Sequence, residues 1–205
     1  TINTKNEMGS EHEEFFSALS INKNQKINNI LEIGTYDGFN SLLLSNLFLY
    51  SNIDTIDLPE NDNDFINFYG RKDQVDQFVK KRNSVISKNK NINFFSQNSL
   101  NLLNFKKKYD LIWIDGAHGY PVVCIDIINS LHVLNENGII MCDDVQISLH
   151  RNSPDKMFHS LATIETLNEL KKCNLIEFKL MYKRLNAKNN CDEKKRKFIA
   201  VINKL

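Results

Sequence analysis

Acidic side chains and one histidine follow two apolar runs in the second half of the chain. Asp115 ends the run 109–114 and His118 comes three positions later, while the pair Asp143-Asp144 ends the run 139–142. Asp143 lies 28 positions after Asp115, which is enough chain for a strand, a helix and a strand that return to one sheet edge. Carboxylates at one edge repel each other unless a cation joins them, and hard oxygen ligands favour Mg²⁺, Ca²⁺ or Mn²⁺ over zinc. Alternatively, Asp115 is a simple loop acid, and Asp143-Asp144 caps a helix or faces solvent.

His118 is the side chain in this region best suited to proton transfer. An unperturbed histidine has a pKa of ~6.5, so it can remove a proton from a hydroxyl group near neutral pH. We therefore expect His118 and Asp115 to be the catalytic residues, with His118 as the base. A contact with a metal or substrate and a purely structural role in the loop are the other two interpretations.

A second group of candidates surrounds a turn near the start of the chain, after residues 29–33. Gly34 and Gly38 let the backbone approach a ligand where a Cβ would stand in the way. Asp57 follows Gly38 by nineteen positions, a distance at which an acid can accept hydrogen bonds from ribose hydroxyls. We therefore expect a nucleoside site. Tyr36 replaces the second glycine of the dinucleotide pattern, so NAD is disfavoured.

The elements that would position these residues alternate between short apolar strands and amphipathic helices. This alternation predicts an α/β, Rossmann-like open sheet of seven strands, mostly parallel, with an antiparallel C-terminal hairpin and helices on both faces. The predicted strands are residues 29–33, 53–56, 92–95, 109–114, 139–142, 175–185 and 198–203. The predicted helices are residues 40–50, residues 71–88, one from Pro121 to a cap at Asn137-Gly138, and one from Ser153-Pro154. We expect a single domain over residues 1–205, with residues 1–26 as a helical lead-in or lid.

The segment Leu31-Glu32-Ile33-Gly34-x-x-x-Gly38 resembles motif I of the class I S-adenosylmethionine-dependent methyltransferases. The resemblance implies that Asp57 holds the ribose of the cofactor. It also implies that Asn98 and Ser99 contact adenine, although Asn98 stands where the family often has an acid. The cofactor site implied in this way comprises Glu32, Gly34, Tyr36, Gly38, Asp57, Asn98, Ser99 and Asp115.

The segments 115–120 and 138–145 resemble a group of small-molecule O-methyltransferases that includes the macrocin and novobiocin type. That resemblance implies a divalent metal, Mg²⁺ by preference, bound by Asp115, Asp143 and Asp144. The macrocin type has a second acid where this chain has Ala117, and methyltransferase-like proteins with Asp-Gly-x-His match this stretch more closely. The implied reaction is metal-assisted methyl transfer to an oxygen of a small molecule, such as a sugar, a polyol or a natural product. The alternatives are an NAD(P) oxidoreductase and a catalytically silent nucleoside-binding domain.

The composition restricts the partners. The 205 residues carry 26 Lys and Arg against 25 Asp and Glu, a net charge of +1, without the basic excess typical of nucleic-acid-binding domains. No run approaches the ~20 apolar residues of a membrane helix, and the four cysteines form no Cys-x-x-Cys pair. We expect a cytoplasmic protein with a small-molecule acceptor, no nucleic-acid partner and no membrane partner; a homo-oligomer is left open. The lysine-rich segments 106–108 and 194–197 are interpreted as solvated turns, and His150 and Arg151 as acceptor contacts or a solvated loop.

Overall fold

The computed structural model describes residues 11–22, 26–67, 73–149, 159–183 and 196–205. Its strands are β1 Asn29–Ile33, β2 Asn52–Asp57, β3 Ile92–Ser96, β4 Tyr109–Ile114, β5 Leu134–Val145, β6 Ile176–Lys183 and β7 Lys197–Lys204. Its α-helices are α1 His12–Ile21, α2 Phe39–Leu47, α3 Asn63–Asn67, α4 Val75–Ile86, α5 Val122–Val133 and α6 Ala162–Lys172, and a 3₁₀ helix spans Ser99–Asn104.

The strands form one sheet in the order β3-β2-β1-β4-β5-β7-β6. The first five pair in parallel, and β7 pairs antiparallel with both β5 and β6. The predicted Rossmann-like sheet and its antiparallel C-terminal hairpin are therefore confirmed. After β3 the chain crosses to the other side of β1 to form β4, so strand order reverses between β1 and β4, where α/β folds of this kind bind ligands.

Apolar side chains cover both faces of the sheet. On one face, Phe16 of α1 and Leu44 of α2 pack against Trp113, which lies in β4. On the other face, α5 and α6 bury residues such as Ile127 and Leu167 against the central strands. Because both faces are covered, β1 and β4 consist almost wholly of buried residues, as expected for central parallel strands.

Several predicted boundaries differ from the structure, including the start of β5, which is Leu134 rather than residue 139. Helix α5 ends at Val133 rather than at an Asn137-Gly138 cap, because Leu134 already pairs with Tyr109 of β4 and draws the chain into the sheet. Strand β5 continues through Asp143 and Asp144 to Val145 instead of ending at residue 142. The predicted start of a helix at Ser153-Pro154 lies outside the described residues, as do residues 1–10 of the predicted lead-in.

The described part of the lead-in is α1, which packs onto the sheet. The His12 ring lies 5.6 Å from the Trp113 ring, and the Phe16 ring lies 5.1 Å from it. Whether residues 1–26 act as a lid stays a prediction.

Candidate active site

The turn after β1 is shaped by its two glycines and by contacts with the neighbouring strands. Gly34 and Gly38 have φ angles of +103° and +80°, and Tyr36 has a φ of +48°. The Gly34 amide donates to the Ile56 carbonyl of β2 (2.9 Å), and the Asp115 amide after β4 donates to the Ile33 carbonyl (2.9 Å). A Cβ on Gly34 would lie only 2.7 Å from the carbonyl carbon of Asp115. The loops that follow β1 and β4 therefore meet backbone to backbone at the position where strand order reverses.

Glu32, near the end of β1, supports this turn through hydrogen bonds to β2 and α2. Its side chain is fully buried, and its carboxylate accepts hydrogen bonds from Thr55 Oγ1 (2.6 Å), Asn40 Nδ2 (2.7 Å) and the Ser41 hydroxyl. Burial raises the pKa of Glu32 to about 7, and these three hydrogen bonds oppose the increase. These hydrogen bonds tie Glu32 to β2 and to α2 and indicate that it supports the turn, and direct contact with a cofactor stays a prediction.

Asp57 lies at the carboxyl end of β2 beside the same turn. Its Oδ2 accepts a hydrogen bond from the Tyr36 amide (3.0 Å), and its Oδ1 accepts one from the Leu58 amide (2.9 Å). The Tyr36 side chain is partly exposed and its ring contacts that of Phe78 in α4, with 5.3 Å between the ring centroids and a tilt of 51°. The structure therefore brings Asp57 and the Gly34–Gly38 turn together, as the predicted nucleoside site requires.

The loop after β3 forms the next part of the same edge. The Asn98 side chain accepts a hydrogen bond from the Leu100 amide (2.9 Å) and caps the 3₁₀ helix that begins at Ser99. The Ser99 carbonyl accepts a hydrogen bond from Asn129 of α5 (3.4 Å). Both candidate adenine contacts therefore lie in a loop anchored at its own helix start and to α5.

Asp115 and His118 lie together after β4. His118 Nε2 is 3.7 Å from Asp115 Oδ1, and the imidazole is buried, with Nδ1 lacking a hydrogen-bond partner among the described residues. Burial lowers the pKa of His118, which Asp144 and Asp143 oppose. Desolvation and the Asp143 carboxylate raise the pKa of Asp115, which Lys183 opposes. The imidazole is therefore neutral at pH 7, in the form that can accept a proton.

A β-bulge in β5 brings Asp143 and Asp144 to one point. Cys142 pairs with Ala200 and Val145 pairs with Phe198, so two aspartates on β5 face the single Ile199 of β7. Asp144 has a φ of +52° at this bulge. Adjacent residues of a regular strand point to opposite faces, but a bulge can redirect a side chain. Here both carboxylates reach the same ammonium group.

That ammonium group belongs to Lys183, the last residue of β6. Lys183 Nζ donates to Asp144 Oδ1 (2.6 Å) and to Asp143 Oδ2, and Lys197 Nζ of β7 donates to Asp144 Oδ2. The side chains of Asp143, Asp144 and Lys183 are only 5%, 10% and 4% exposed, whereas that of Asp115 is 37% exposed. Although burial opposes it, the two aspartates raise the pKa of Lys183. Of the three predicted metal ligands, Asp115 alone offers its carboxylate to solvent.

The comparisons with known proteins agree with this architecture. A family model described as a methyltransferase domain matches residues 31–145, which is more than half of the chain and includes the turn after β1, Asp57, Asp115 and the Asp143-Asp144 pair. The chain belongs to the methyltransferase domain family. Together with the strand order of the sheet, this membership identifies the protein as a class I S-adenosylmethionine-dependent methyltransferase. It argues against the alternative of an NAD(P) oxidoreductase.

Solved structures share the fold of this methyltransferase at low sequence identity. A proposed caffeoyl-CoA O-methyltransferase of Staphylococcus aureus superimposes with a TM-score of 0.63 at 17% identity, over 95% of this chain and 83% of that one. The O-methyltransferase TomG of Streptomyces achromogenes, involved in tomaymycin synthesis and solved with S-adenosylmethionine, gives 0.61 at 12% identity, over 94% and 79%. The methyltransferase PaMTH1 of Podospora anserina, solved with S-adenosylhomocysteine, gives 0.59 at 16% identity, over 95% and 78%. The sequence has no significant similarity to any curated protein.

The predicted metal site of the methyltransferase does not fit the side chains that the structure brings together. Three of the four carboxylate oxygens of Asp143 and Asp144 already accept hydrogen bonds from Lys183 or Lys197. Within the described ranges, no group of three or more His, Cys, Asp or Glu side chains is arranged to hold a metal ion. The charge repulsion that suggested a divalent cation is instead balanced by two lysines.

Neither Lys183 nor Lys197 is among the site residues that the sequence patterns predict. Lys197 was assigned to a solvated turn, and that interpretation is wrong, because its ammonium binds Asp144. Lys107, in the other lysine-rich segment, binds Asp54 Oδ2 (2.8 Å). The signal that could have found the site lies in the predicted hairpin, where Lys183 and Lys197 pair directly across β6 and β7. His150, Arg151, Lys194 and Lys195 lie outside the described residues.

The part of the methyltransferase chain that the structure describes contains no helix long and apolar enough to cross a membrane.

Proposed function

We propose that this protein transfers the methyl group of S-adenosylmethionine to an oxygen of a small molecule, such as a sugar, a polyol or a natural product, with His118 as the general base. The observation that carries the proposal is the placement of a buried His118 beside the partly exposed Asp115 carboxylate, in the loop that meets the Gly34 turn. A proton acceptor and a cofactor turn thus share one sheet edge.

The residues that would hold the cofactor line this edge in sequence order. The turn 34–38 would lie against the amino-acid end of the cofactor. Asp57 would accept hydrogen bonds from the ribose, and Asn98 with Ser99 would contact adenine. The fit is supported by the Asp57 carboxylate, which lies beside the turn and accepts a hydrogen bond from the Tyr36 amide. When bound, S-adenosylmethionine supplies a methyl group that is already activated on a sulfonium. The protein then has to align the acceptor and remove its proton.

His118 is suited to the second task. Burial lowers the pKa of the imidazole and so favours its neutral form. The charged groups around it are three carboxylates and two ammonium groups, namely Asp115, Asp143, Asp144, Lys183 and Lys197. A hydroxyl proton would move to an imidazole nitrogen as the oxygen attacks the methyl carbon. The partly exposed Asp115 would orient the acceptor or the imidazole. No step is assigned to a metal, since Asp143 and Asp144 are held by lysines.

Transfer to oxygen, rather than to nitrogen or carbon, is supported by three features. A neutral histidine is well matched to a hydroxyl acceptor. The structural neighbours include proteins whose names state O-methyl transfer. The net charge of +1 also does not favour a nucleic acid, and therefore the amino groups of its bases, as the acceptor.

The test is a screen of hydroxylated acceptors, including sugars and nucleotide-sugars, for release of S-adenosylhomocysteine. With the acceptor that responds, His118→Gln should lower kcat by about 10²–10⁴-fold, the contribution typical of a positioned base. His132→Gln, at the other end of α5, is the matched control and should leave kcat unchanged.

The pH dependence gives a second measure of the same prediction. In the wild type, kcat/KM should rise with pH through a pKa below that of an ordinary histidine, because burial favours the neutral imidazole. A variant His118→Gln with full activity would contradict the assignment of the base. Binding of S-adenosylhomocysteine without transfer to any acceptor would instead favour a silent nucleoside-binding domain.

A further inference from the structure

The Asp143-Asp144 pair and the lysines of the C-terminal hairpin form a matched set of charges. We call these four residues, Asp143, Asp144, Lys183 and Lys197, the lysine clamp. Lys183 bridges both aspartates, and Lys197 binds the second oxygen of Asp144. Two carboxylates and two ammonium groups have no net charge, so the set is neutral without an added ion.

The two ammonium groups need the aspartates to neutralise them, just as the carboxylates need the lysines. Lys183 and Lys197 are directly opposite each other in the antiparallel pair β6–β7. Like charges at directly opposite positions destabilise a sheet, and a buried ammonium is costly unless it is paired. Asp144 lies between the two ammonium groups and binds both. The bulge that turns Asp143 toward the same point completes the pairing.

A divalent ion would have to displace this arrangement. Mg²⁺ requires about six oxygen ligands in near-octahedral geometry, whereas Asp143 Oδ1 is the one carboxylate oxygen of the clamp aspartates for which no lysine bond is described. The ion would also add two positive charges next to two ammonium groups. The clamp thus places a fixed cation where the resemblance to other O-methyltransferases implies a metal.

We propose that Lys183 is the permanent cation of this site: its ammonium holds Asp143 and Asp144 in place of a divalent metal, and cofactor binding and methyl transfer need no metal. Lys183 is a positioning residue, which holds the Asp143 and Asp144 carboxylates through its ammonium group. Only the methyl-transfer part of this inference rests on the proposed function. The occupancy of the carboxylates by lysine can be tested without any acceptor.

The first test measures Mn²⁺ binding by electron paramagnetic resonance, in which free Mn²⁺ gives the signal and bound Mn²⁺ loses it. Wild-type protein treated with EDTA and then dialysed should leave millimolar Mn²⁺ free. It should also bind S-adenosylhomocysteine with the same Kd, within about twofold, in EDTA and in Mg²⁺. Stoichiometric binding of micromolar Mn²⁺ by the wild type would overturn the proposal and would leave the proposed O-methyl transfer standing.

The second test removes the ammonium groups. Lys183→Met combined with Lys197→Met should create a Mn²⁺ site at least about tenfold tighter than any in the wild type, because two buried carboxylates lose their counterions. Without metal, this variant should melt roughly 6–20 °C below the wild type, and Mn²⁺ should restore part of that loss. Lys172→Met, which removes an exposed lysine paired with Glu169, is the matched control and should change neither measurement.

Two further variants keep the test decisive if the double variant does not fold. Lys197→Met alone removes the more exposed lysine, whose side chain is 18% exposed, and should tighten Mn²⁺ binding in the same direction. Lys183→Arg keeps the charge and should keep Mn²⁺ excluded. If Lys183→Arg binds Mn²⁺ as tightly as the double variant does, the positive charge is not what excludes the metal and the proposal fails.

Discussion

Glu32 lies directly beneath the turn 34–38 and shows how burial controls charge at the level of one residue. Burial raises its pKa from 4.5 to about 7, so the folded state binds the proton more tightly than the unfolded state does. The stability that comes from the protonated form is fully present below pH ~4.5 and is lost as the pH rises through about 7. Three hydroxyl and amide donors around the carboxylate limit this loss.

The variant Glu32→Gln should therefore become relatively more stable as the pH rises. Between pH 5 and pH 8, the free energy of unfolding of the variant should increase relative to that of the wild type by on the order of 3 kcal/mol. Urea denaturation at both pH values measures it. Glu136→Gln, on an exposed position of β5, should show no such change. A difference that stays constant with pH would mean that Glu32 titrates normally.

The next larger unit is the turn between β1 and α2, which depends on an element distant in sequence. Gly34 has a φ of +103°, and its α-carbon faces the backbone of Asp115, so a methyl group there would overlap the loop after β4. Gly116, one residue further along that loop, has only ordinary contacts around its potential Cβ, the nearest at 3.8 Å. A side chain should therefore be tolerated at Gly116 but not at Gly34, although both glycines lie where the two loops meet.

We expect Gly34→Ala to destabilise the protein by at least about 1–3 kcal/mol, the cost of a strained backbone, with the overlap adding to it. It should also weaken binding of S-adenosylhomocysteine, because the two loops must move apart. Gly116→Ala is the matched control and should change stability by less than about 1 kcal/mol. Thermal denaturation and calorimetry of cofactor binding measure both variants. Equal effects of the two substitutions would show that the close approach at Gly34 does not matter.

The bulge in β5 is the second element with consequences for the site. A regular strand would send Asp143 and Asp144 to opposite faces, whereas the bulge directs both to Lys183. Strand β5 also receives the C-terminal hairpin through β7. One irregularity therefore connects the candidate active site to the last strands of the chain.

At the scale of the whole molecule, the order of strands brings together residues from every part of the chain. The turn after β1, Asp57 after β2 and Asp115 after β4 meet because β1 lies between β2 and β4. The lysines arrive from the other direction, because β7 and β6 follow β5. The binding of a ligand at this edge should consequently stabilise the whole sheet.

Saturating S-adenosylhomocysteine should raise the melting temperature. At a concentration of 100 times Kd, a ligand adds about 2.7 kcal/mol, which corresponds to roughly 5–10 °C for a chain of this size. NAD at the same concentration should produce no shift. Asp57→Asn should reduce the shift, whereas Asp76→Asn, on the exposed side of α4, should preserve it. A larger shift with NAD than with S-adenosylhomocysteine would contradict the assignment of the cofactor.

The amino-acid sequence by itself determined the class of fold, the limits of β1 and β4, the glycine turn and the acids that follow the strands. These features are local: apolar runs mark buried strands, and Gly34, Asp57 and Asp115 stand where strands end. Helix α5 was placed less well at its end, since its last residue is decided by the pairing of Leu134 with Tyr109 across the sheet.

Only the tertiary structure decided what neutralises Asp143 and Asp144. The acids alone suggested a metal, because carboxylates this close need a counter-charge. Lys183 and Lys197 supply that charge from 39 to 53 positions further along the chain. They reach the acids because the predicted hairpin lies beside β5 and because β5 has a bulge that no local pattern encodes. Charge balance in a buried site is a property of everything that packs around it, so the cation could be identified only after the strands were in place.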